Sequence, residues 1–176
     1  MMSIVYVFWM YVLLFAVIGA MRGWAKELLV SFSVITALAV NHLLRSYLPL
    51  VRDLQENTTS LFWIRSLIVI ALVYFGYQTV LVIPRLAAKA ARERLQDALF
   101  GAVLGAVNGY LVVGTILFYY YMGAYPYPHI VSFPTDPAIA ATIDTMMRYM
   151  PPRLLGEPGI YFAVIIVLIF IIVVYI

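Results

Sequence analysis

The sequence has no cysteine and few charged residues, and each deficit excludes a class of protein. Without cysteine the chain cannot form disulfides, thiolate metal sites or lipidated cysteines. Charged residues are only 11% of the 176 positions and hydrophobic residues are 65%, whereas a soluble domain has about 25% charged residues. A dispersed net charge of +3 is too small to indicate nucleic-acid binding. The composition therefore predicts an integral membrane protein.

Long apolar stretches predict five membrane-spanning helices, because about 20 helical residues cross a hydrocarbon layer of about 30 Å. They lie at residues 2–21, 28–44, 61–83, 98–121 and 159–176. No basic region precedes the first stretch, so we expect a retained helix rather than a signal peptide. The predicted fold is an all-α integral membrane protein with four transmembrane helices as two antiparallel hairpins, plus a C-terminal fifth hydrophobic helix.

The connections between these stretches differ in character. Residues 22–27 predict a short charged turn, and residues 45–60 predict a longer polar loop. Residues 85–97 mix basic residues with Ala and Leu, which predicts an amphipathic helix on the membrane surface. The chain thus divides into a four-helix membrane domain (1–122), a proline-rich extracytoplasmic segment (123–158) and a C-terminal transmembrane helix (159–176).

One short helix is predicted inside the proline-rich segment. Asp136 suits the N-cap, and Pro137 is acceptable in the first turn. Apolar residues then recur at helical spacing, at Ile139, Ile143, Met146, Met147 and Met150. The pattern is typical of an amphipathic helix lying in the membrane interface.

The distribution of arginine and lysine predicts the orientation in the membrane, because short cytoplasmic loops are enriched in both. Six basic residues lie in the two short connections, namely Arg22, Lys26, Arg85, Lys89, Arg92 and Arg94. The other five are spread over the two longer connections, namely Arg45, Arg52, Arg65, Arg148 and Arg153. Arg65 falls one turn inside its helix, where a long side chain can snorkel to the interface. We expect the short connections in the cytoplasm and the N-terminus outside.

Three glycines share one stripe of the fourth predicted helix, at Gly101, Gly105 and Gly109. Small residues let neighbouring helices approach closely in lipid. The stripe therefore predicts helix packing, either inside the chain or at an interface between chains. Gly19 and Gly23 form a second pair with the same two alternatives.

Four polar residues predict contacts between helices. Arg22, Glu27 and Asp97 lie at the cytoplasmic ends of the predicted helices, where ion pairs would join the hairpins, although attraction to anionic lipid is the alternative. Asn108 lies deeper, where an amide needs a hydrogen-bond partner because water is absent. A polar conduit formed with Gln78 and Arg22 is the alternative to a structural role for Asn108.

No nucleophile motif, phosphate loop or metal-ligand cluster is present in the sequence, so we predict no enzyme, no metal and no cofactor. His42 is the residue we consider for cofactor binding, because a helical imidazole can ligate a ring such as haem. The chain offers no second helical histidine to complete a bis-imidazole pair. An interfacial histidine with an ordinary hydrogen bond is the alternative.

Two motifs resemble the colicin V production protein family of bacterial inner-membrane proteins. They are GAMRGWAKEL at residues 19–28, after the first helix, and DALFGAVLGAVNG at residues 97–109, opening the fourth. With the order of four helices and the proline-rich tail, the resemblance covers roughly residues 1–150. Ala98 and Asn108 stand where the family pattern usually has basic residues.

The resemblance implies a small cytoplasmic-membrane protein connected with toxin export and envelope homeostasis, without an established catalytic activity. We expect a non-enzymatic envelope or export accessory factor whose partners are membrane lipids and, through helix packing, other membrane proteins or itself. Two alternatives stay open, namely an accessory subunit of a large respiratory or photosynthetic membrane complex and a small transporter or channel component. The last helix has few small residues, which favours a lipid-facing anchor.

Overall fold

The computed structural model describes residues 4–79, 94–131 and 134–175. Within these ranges the helices are α1 (Ile4–Arg22), α2 (Trp24–Tyr47), α3 (Pro49–Arg52), α4 (Thr59–Thr79), α5 (Arg94–Met122), α6 (Pro137–Arg148), α7 (Pro151–Leu154) and α8 (Gly159–Tyr175). The four helices α1, α2, α4 and α5 are each long and apolar enough to cross a membrane. The chain is therefore an all-α, multi-pass membrane protein, as the sequence predicts.

A single non-helical residue, Gly23, separates α1 from α2. Its φ of +87° lies in a region that glycine enters easily and that residues with a side chain rarely adopt. Trp24 begins α2, and its backbone N–H donates a hydrogen bond of 3.0 Å to the carboxylate of Asp97. The turn predicted over residues 22–27 is therefore wrong in extent, because Gly23 alone redirects the chain.

The closest helix pairs are not the pairs joined by short connections. α1 packs chiefly against α5, and α2 packs against α4 and α5, whereas α1 makes little contact with α2. Gly19 of α1 lies beside Gly105 of α5, and Val12 lies beside Gly109, so these two helices run antiparallel. Small residues on both sides of the α1–α5 contact allow this close approach.

The apolar interior consists of two clusters. The larger lies between α2, α4 and α5, and Val30, Val34 and Val69 are fully buried within it. The second joins the start of α1 to α6 through side chains that include Phe8 and Met147. Helix α6 thus buries Ile143 and Met147 against protein, and its position in the membrane interface stays a prediction.

The N-terminus of α6 agrees with the sequence prediction. Asp136 is the N-cap, and its side chain accepts a hydrogen bond of 2.8 Å from the backbone N–H of Ala138. Pro137 occupies the first turn, where no intrahelical donor is needed.

The long connection after α2 contains more helix than predicted. α2 ends at Tyr47, and the next residue, Leu48, has the extended backbone that is favoured before a proline. Pro49 then opens the short helix α3. The guanidinium of Arg45 donates to the carbonyls of Val51 and Leu54, each at 2.7 Å, and so ties the connection to α2.

α8 begins in contact with α2 and continues as an exposed apolar helix. Ile160 is buried at its start, whereas later side chains such as Ile166 and Val173 are exposed. Its 17 residues extend for about 26 Å, slightly less than the hydrocarbon layer of about 30 Å. A full crossing by α8 stays a prediction.

Part of the predicted organisation lies outside the described residues. This applies to residues 80–83 of the third predicted helix and to residues 85–93 of the predicted surface helix. Residues 94–97, assigned to that surface helix, belong instead to the start of α5.

Candidate functional site

The glycine stripe of α5 lies directly against α1. A Cβ atom on Gly19 would lie 2.7 Å from the Cα of Gly105, and one on Gly105 would lie 2.9 Å from the Cα of Gly19. One on Gly109 would lie 2.8 Å from the Cβ of Phe15, and one on Gly101 would overlap the Gly19 carbonyl. Any side chain at these glycines would therefore push the two helices apart.

Glu27, in the first turn of α2, is a completely buried carboxylate. Its Oε1 accepts a hydrogen bond of 2.9 Å from Arg22 Nη1, and its Oε2 accepts one of 2.8 Å from Asn108 Nδ2. An unpaired carboxylate in such a place costs several kcal/mol, so both partners are needed to keep the ionised group inside the protein.

Asn108 connects α5 to α2 and is itself completely buried. Its Nδ2 donates both to the Glu27 carboxylate and to the Glu27 backbone carbonyl, each at 2.8 Å. Its Oδ1 accepts a hydrogen bond of 2.6 Å from the Ser31 hydroxyl. Both N–H groups and the oxygen of the Asn108 amide are therefore hydrogen-bonded.

Arg22 extends the same network to α4. Its Nη2 donates to the Tyr77 carbonyl at 3.3 Å, and its Cζ lies 4.1 Å from the centre of the Tyr77 ring, in cation–π contact. The Arg22 side chain is 22% exposed. We call Arg22, Glu27, Ser31, Tyr77 and Asn108 the Glu27 network, and it joins α1, α2, α4 and α5.

Asp97 does not join the Glu27 network but caps α2. Its Oδ1 accepts a hydrogen bond from the N–H of Trp24, the first residue of α2. A negative charge at this end of a helix is also stabilised by the positive end of the helix dipole. A Cβ atom on Gly23 would lie 2.7 Å from this Oδ1. The four predicted polar residues are therefore divided between a buried ion-pair network and a helix cap.

The predicted conduit residues are only partly brought together. Arg22 and Asn108 meet through Glu27. Gln78, near the end of α4, is partly buried, and among the described residues no hydrogen bond connects it to the other two.

His42 lies towards the other end of α2. Its Nε2 is 2.7 Å from Glu157 Oε1, and its ring meets the Tyr161 ring edge-on, with the centres 5.8 Å apart. The hydrogen bond from His42 lowers the pKa of the Glu157 carboxyl below its ordinary value. A ring ligand on Nε2 would have to displace Glu157. Across the described ranges, no group of three His, Cys, Asp or Glu side chains is placed to hold a metal ion.

Sequence reasoning missed a second charged cluster, near His42. Arg65 donates two hydrogen bonds to the Glu56 carboxylate, at 3.0 and 3.3 Å, and Arg45 Nη2 lies 2.9 Å from the same carboxylate. The Arg65 side chain is 13% exposed, and its guanidinium reaches Glu56 in the loop before α4. That it snorkels to the membrane interface stays a prediction. The available signal was an acidic residue, Glu56, in the loop between two helices that each carry an arginine near that loop.

One protein family matches the part of the chain that contains the four long helices. The family model described as "Colicin V production protein" matches residues 4–135, which is well over half of the chain. The match includes the Glu27 network and the glycine contact between α1 and α5. No curated protein and no solved structure matches the chain.

Proposed function

Since the chain belongs to the colicin V production protein family, a bacterial family, we propose that it acts in the cytoplasmic membrane as a non-enzymatic accessory factor for export and envelope homeostasis. In this proposal the short basic connections face the cytoplasm and the N-terminus lies outside, as the distribution of arginine and lysine predicts. The protein acts by binding other membrane proteins, and it transforms no substrate.

The observation that carries the proposal is that the two completely buried side chains of the Glu27 network, Glu27 and Asn108, have hydrogen-bond partners for all their polar groups. Both oxygens of the Glu27 carboxylate and every polar group of the Asn108 amide are hydrogen-bonded within the protein. A transport path or a catalytic centre needs polar groups that can exchange partners with a solute or a proton. A saturated network instead fixes four helices relative to one another, which suits a rigid scaffold for a partner.

Purification from native membranes tests the proposal. The full chain, tagged and extracted in mild detergent, should retain a component of an export or envelope system at constant stoichiometry. Deleting the gene should reduce toxin secretion or raise sensitivity to detergents, and the wild-type gene should restore both. Co-purification with a respiratory or photosynthetic complex instead would overturn the export assignment.

Reconstitution separates the proposal from the transporter alternative. The purified chain in proteoliposomes should give no more solute or ion flux than empty vesicles. A saturable flux above that of empty vesicles would refute the scaffold role. Its loss in Asn108→Leu, in a sample that still unfolds at the wild-type temperature, would place Asn108 on the path, and Asn57→Leu, which alters an exposed loop amide, is the control.

A further inference from the structure

A cavity of about 320 Å³ lies between α2, α4, α5 and the start of α8. Its charged lining includes Arg45 near the end of α2, Arg65 near the start of α4, and Glu56 in the loop that connects these helices. We call it the Arg45–Arg65 cavity. It lies where spanning helices end, which is the depth of lipid headgroups for a helix that crosses the bilayer.

The cavity carries more positive than negative charge. Two guanidinium groups share the single carboxylate of Glu56. Glu157, the other carboxylate nearby, contacts His42 but is not among the lining residues, and its side chain is 59% exposed. The arginine side chains are only 25% and 13% exposed, so water solvates them incompletely.

The two arginines also keep hydrogen-bonding capacity. A guanidinium has five N–H groups in a planar fork that matches the oxygens of a phosphate. Arg65 uses its two terminal nitrogens on Glu56, and Arg45 divides its own between Glu56 and two backbone carbonyls. An added anion could therefore be bound without breaking every existing contact.

The remaining walls are apolar. Leu38, Phe118 and Ile160 line the cavity, and Ile160 stands at the start of α8. Beyond it, α8 presents exposed apolar side chains such as Ile165 and Ile169. A ligand with an anionic head and apolar chains would match both the cationic lining and this helix.

We infer that the Arg45–Arg65 cavity binds the phosphate group of an anionic membrane lipid, whose acyl chains lie along α8. Arginine favours phosphate because paired N–H donors give short, charge-assisted hydrogen bonds. The lipid site and the export role are independent, and either can hold without the other.

The experiment uses the full chain purified in a neutral detergent. Phosphatidylglycerol is titrated, with phosphatidylcholine as the zwitterionic lipid of zero net charge and inorganic phosphate as the headgroup anion without chains. Bound lipid is counted by native mass spectrometry. We expect phosphatidylglycerol to bind and the other two probes to bind at least about tenfold more weakly, because only the first combines a net negative charge with acyl chains.

Two arginine variants distinguish the cavity from general surface attraction. Arg65→Gln should weaken phosphatidylglycerol binding at least about tenfold. Arg52→Gln removes the same charge from a 63% exposed side chain in the same connection and should change binding by less than about twofold. Equal losses in the two variants would overturn the site.

A third variant tests the cavity in the opposite direction, which keeps the test decisive if Arg65→Gln does not fold. Glu56→Gln removes the carboxylate that competes for both guanidinium groups, so phosphatidylglycerol should bind several-fold more tightly. Unchanged or weaker binding would overturn the inference. Phosphate binding as tight as lipid binding, with the same response to Glu56→Gln, would show a site for free phosphate and refute the lipid assignment.

Discussion

The amide Nδ2 of Asn108 lies 2.8 Å from the carboxylate Oε2 of Glu27, and both side chains are completely buried. The contact joins α5 to α2 at a depth where water cannot replace either partner. Asn108 also accepts the hydrogen bond that the Ser31 hydroxyl donates. One neutral amide therefore holds together polar groups from two helices and helps to satisfy a buried charge.

Replacing Asn108 by leucine should destabilise the protein. The change leaves one oxygen of the Glu27 carboxylate and the Ser31 hydroxyl without their present partner, so we expect a loss of about 1–3 kcal/mol. Thermal unfolding of the purified chain in detergent measures the loss. Asn57→Leu, in the exposed part of the loop before α4, is the matched control, and equal melting temperatures for the two variants would contradict the role of Asn108.

Gly105→Ala, which adds one methyl group, should weaken the contact between α1 and α5. The new Cβ would lie 2.9 Å from the Cα of Gly19, and such overpacking costs about 1–3 kcal/mol. Gly105→Leu should abolish folding or assembly, seen as lost expression and an altered elution profile. A Cβ on Gly159 meets no described atom nearer than 3.8 Å, so Gly159→Ala should be tolerated. A normal profile and melting temperature for Gly105→Leu would refute the packing role.

Gly23 and Asp97 should show coupled effects. Asp97→Ala removes the acceptor for the Trp24 N–H and should cost about 1 kcal/mol. Gly23→Ala should cost more, because the side chain must occupy a φ of +87° and would also meet the Asp97 carboxylate. In the Asp97→Ala background the clash with the carboxylate disappears, and only the backbone strain persists, which costs about 1–3 kcal/mol at a φ of +87° and a ψ of 157°. A double-mutant cycle on unfolding free energies measures this, and additive costs would contradict the proximity.

The contact between His42 and Glu157 should make stability depend on acid pH. The hydrogen bond from His42, followed by that from Tyr161, lowers the pKa of Glu157 from its ordinary value of 4.5. A lowered carboxyl pKa stabilises the folded state above the ordinary value, and this stabilisation is lost as the pH falls through the lowered value. The melting temperature of wild type should therefore exceed that of Glu157→Gln near neutral pH, and the gap should close below about pH 4. A gap that is constant over this range would argue against the contact.

The membrane helices could be predicted because length and hydrophobicity alone decide them. Apolar runs long enough to cross the bilayer gave four spans that the structure confirms, and local chemistry gave the cap at Asp136. Local signals were weaker at helix ends. Glu27 looked like part of a solvated turn, yet α2 already begins at Trp24 and carries that carboxylate into the interior.

Helix pairing could not be predicted because a glycine stripe does not identify its partner. The spacing of Gly101, Gly105 and Gly109 indicates a close helix contact, but it does not show whether the partner is α1, α4 or another chain. Likewise, Arg65 next to an apolar run suggests snorkelling, and only the folded loop brings Glu56 within hydrogen-bonding distance of it. Both features depend on residues that are distant in sequence.

The pairing of α1 with α5 has a consequence for biogenesis. Gly19 leaves the ribosome roughly eighty residues before Gly101, a delay on the order of ten seconds at about 5–20 residues per second. During that interval the first helix is already synthesised while the surface that covers its small residues does not yet exist. The translocation machinery must therefore accommodate a first helix whose glycine surface is still uncovered, and α1 finds its main partner only when α5 is inserted.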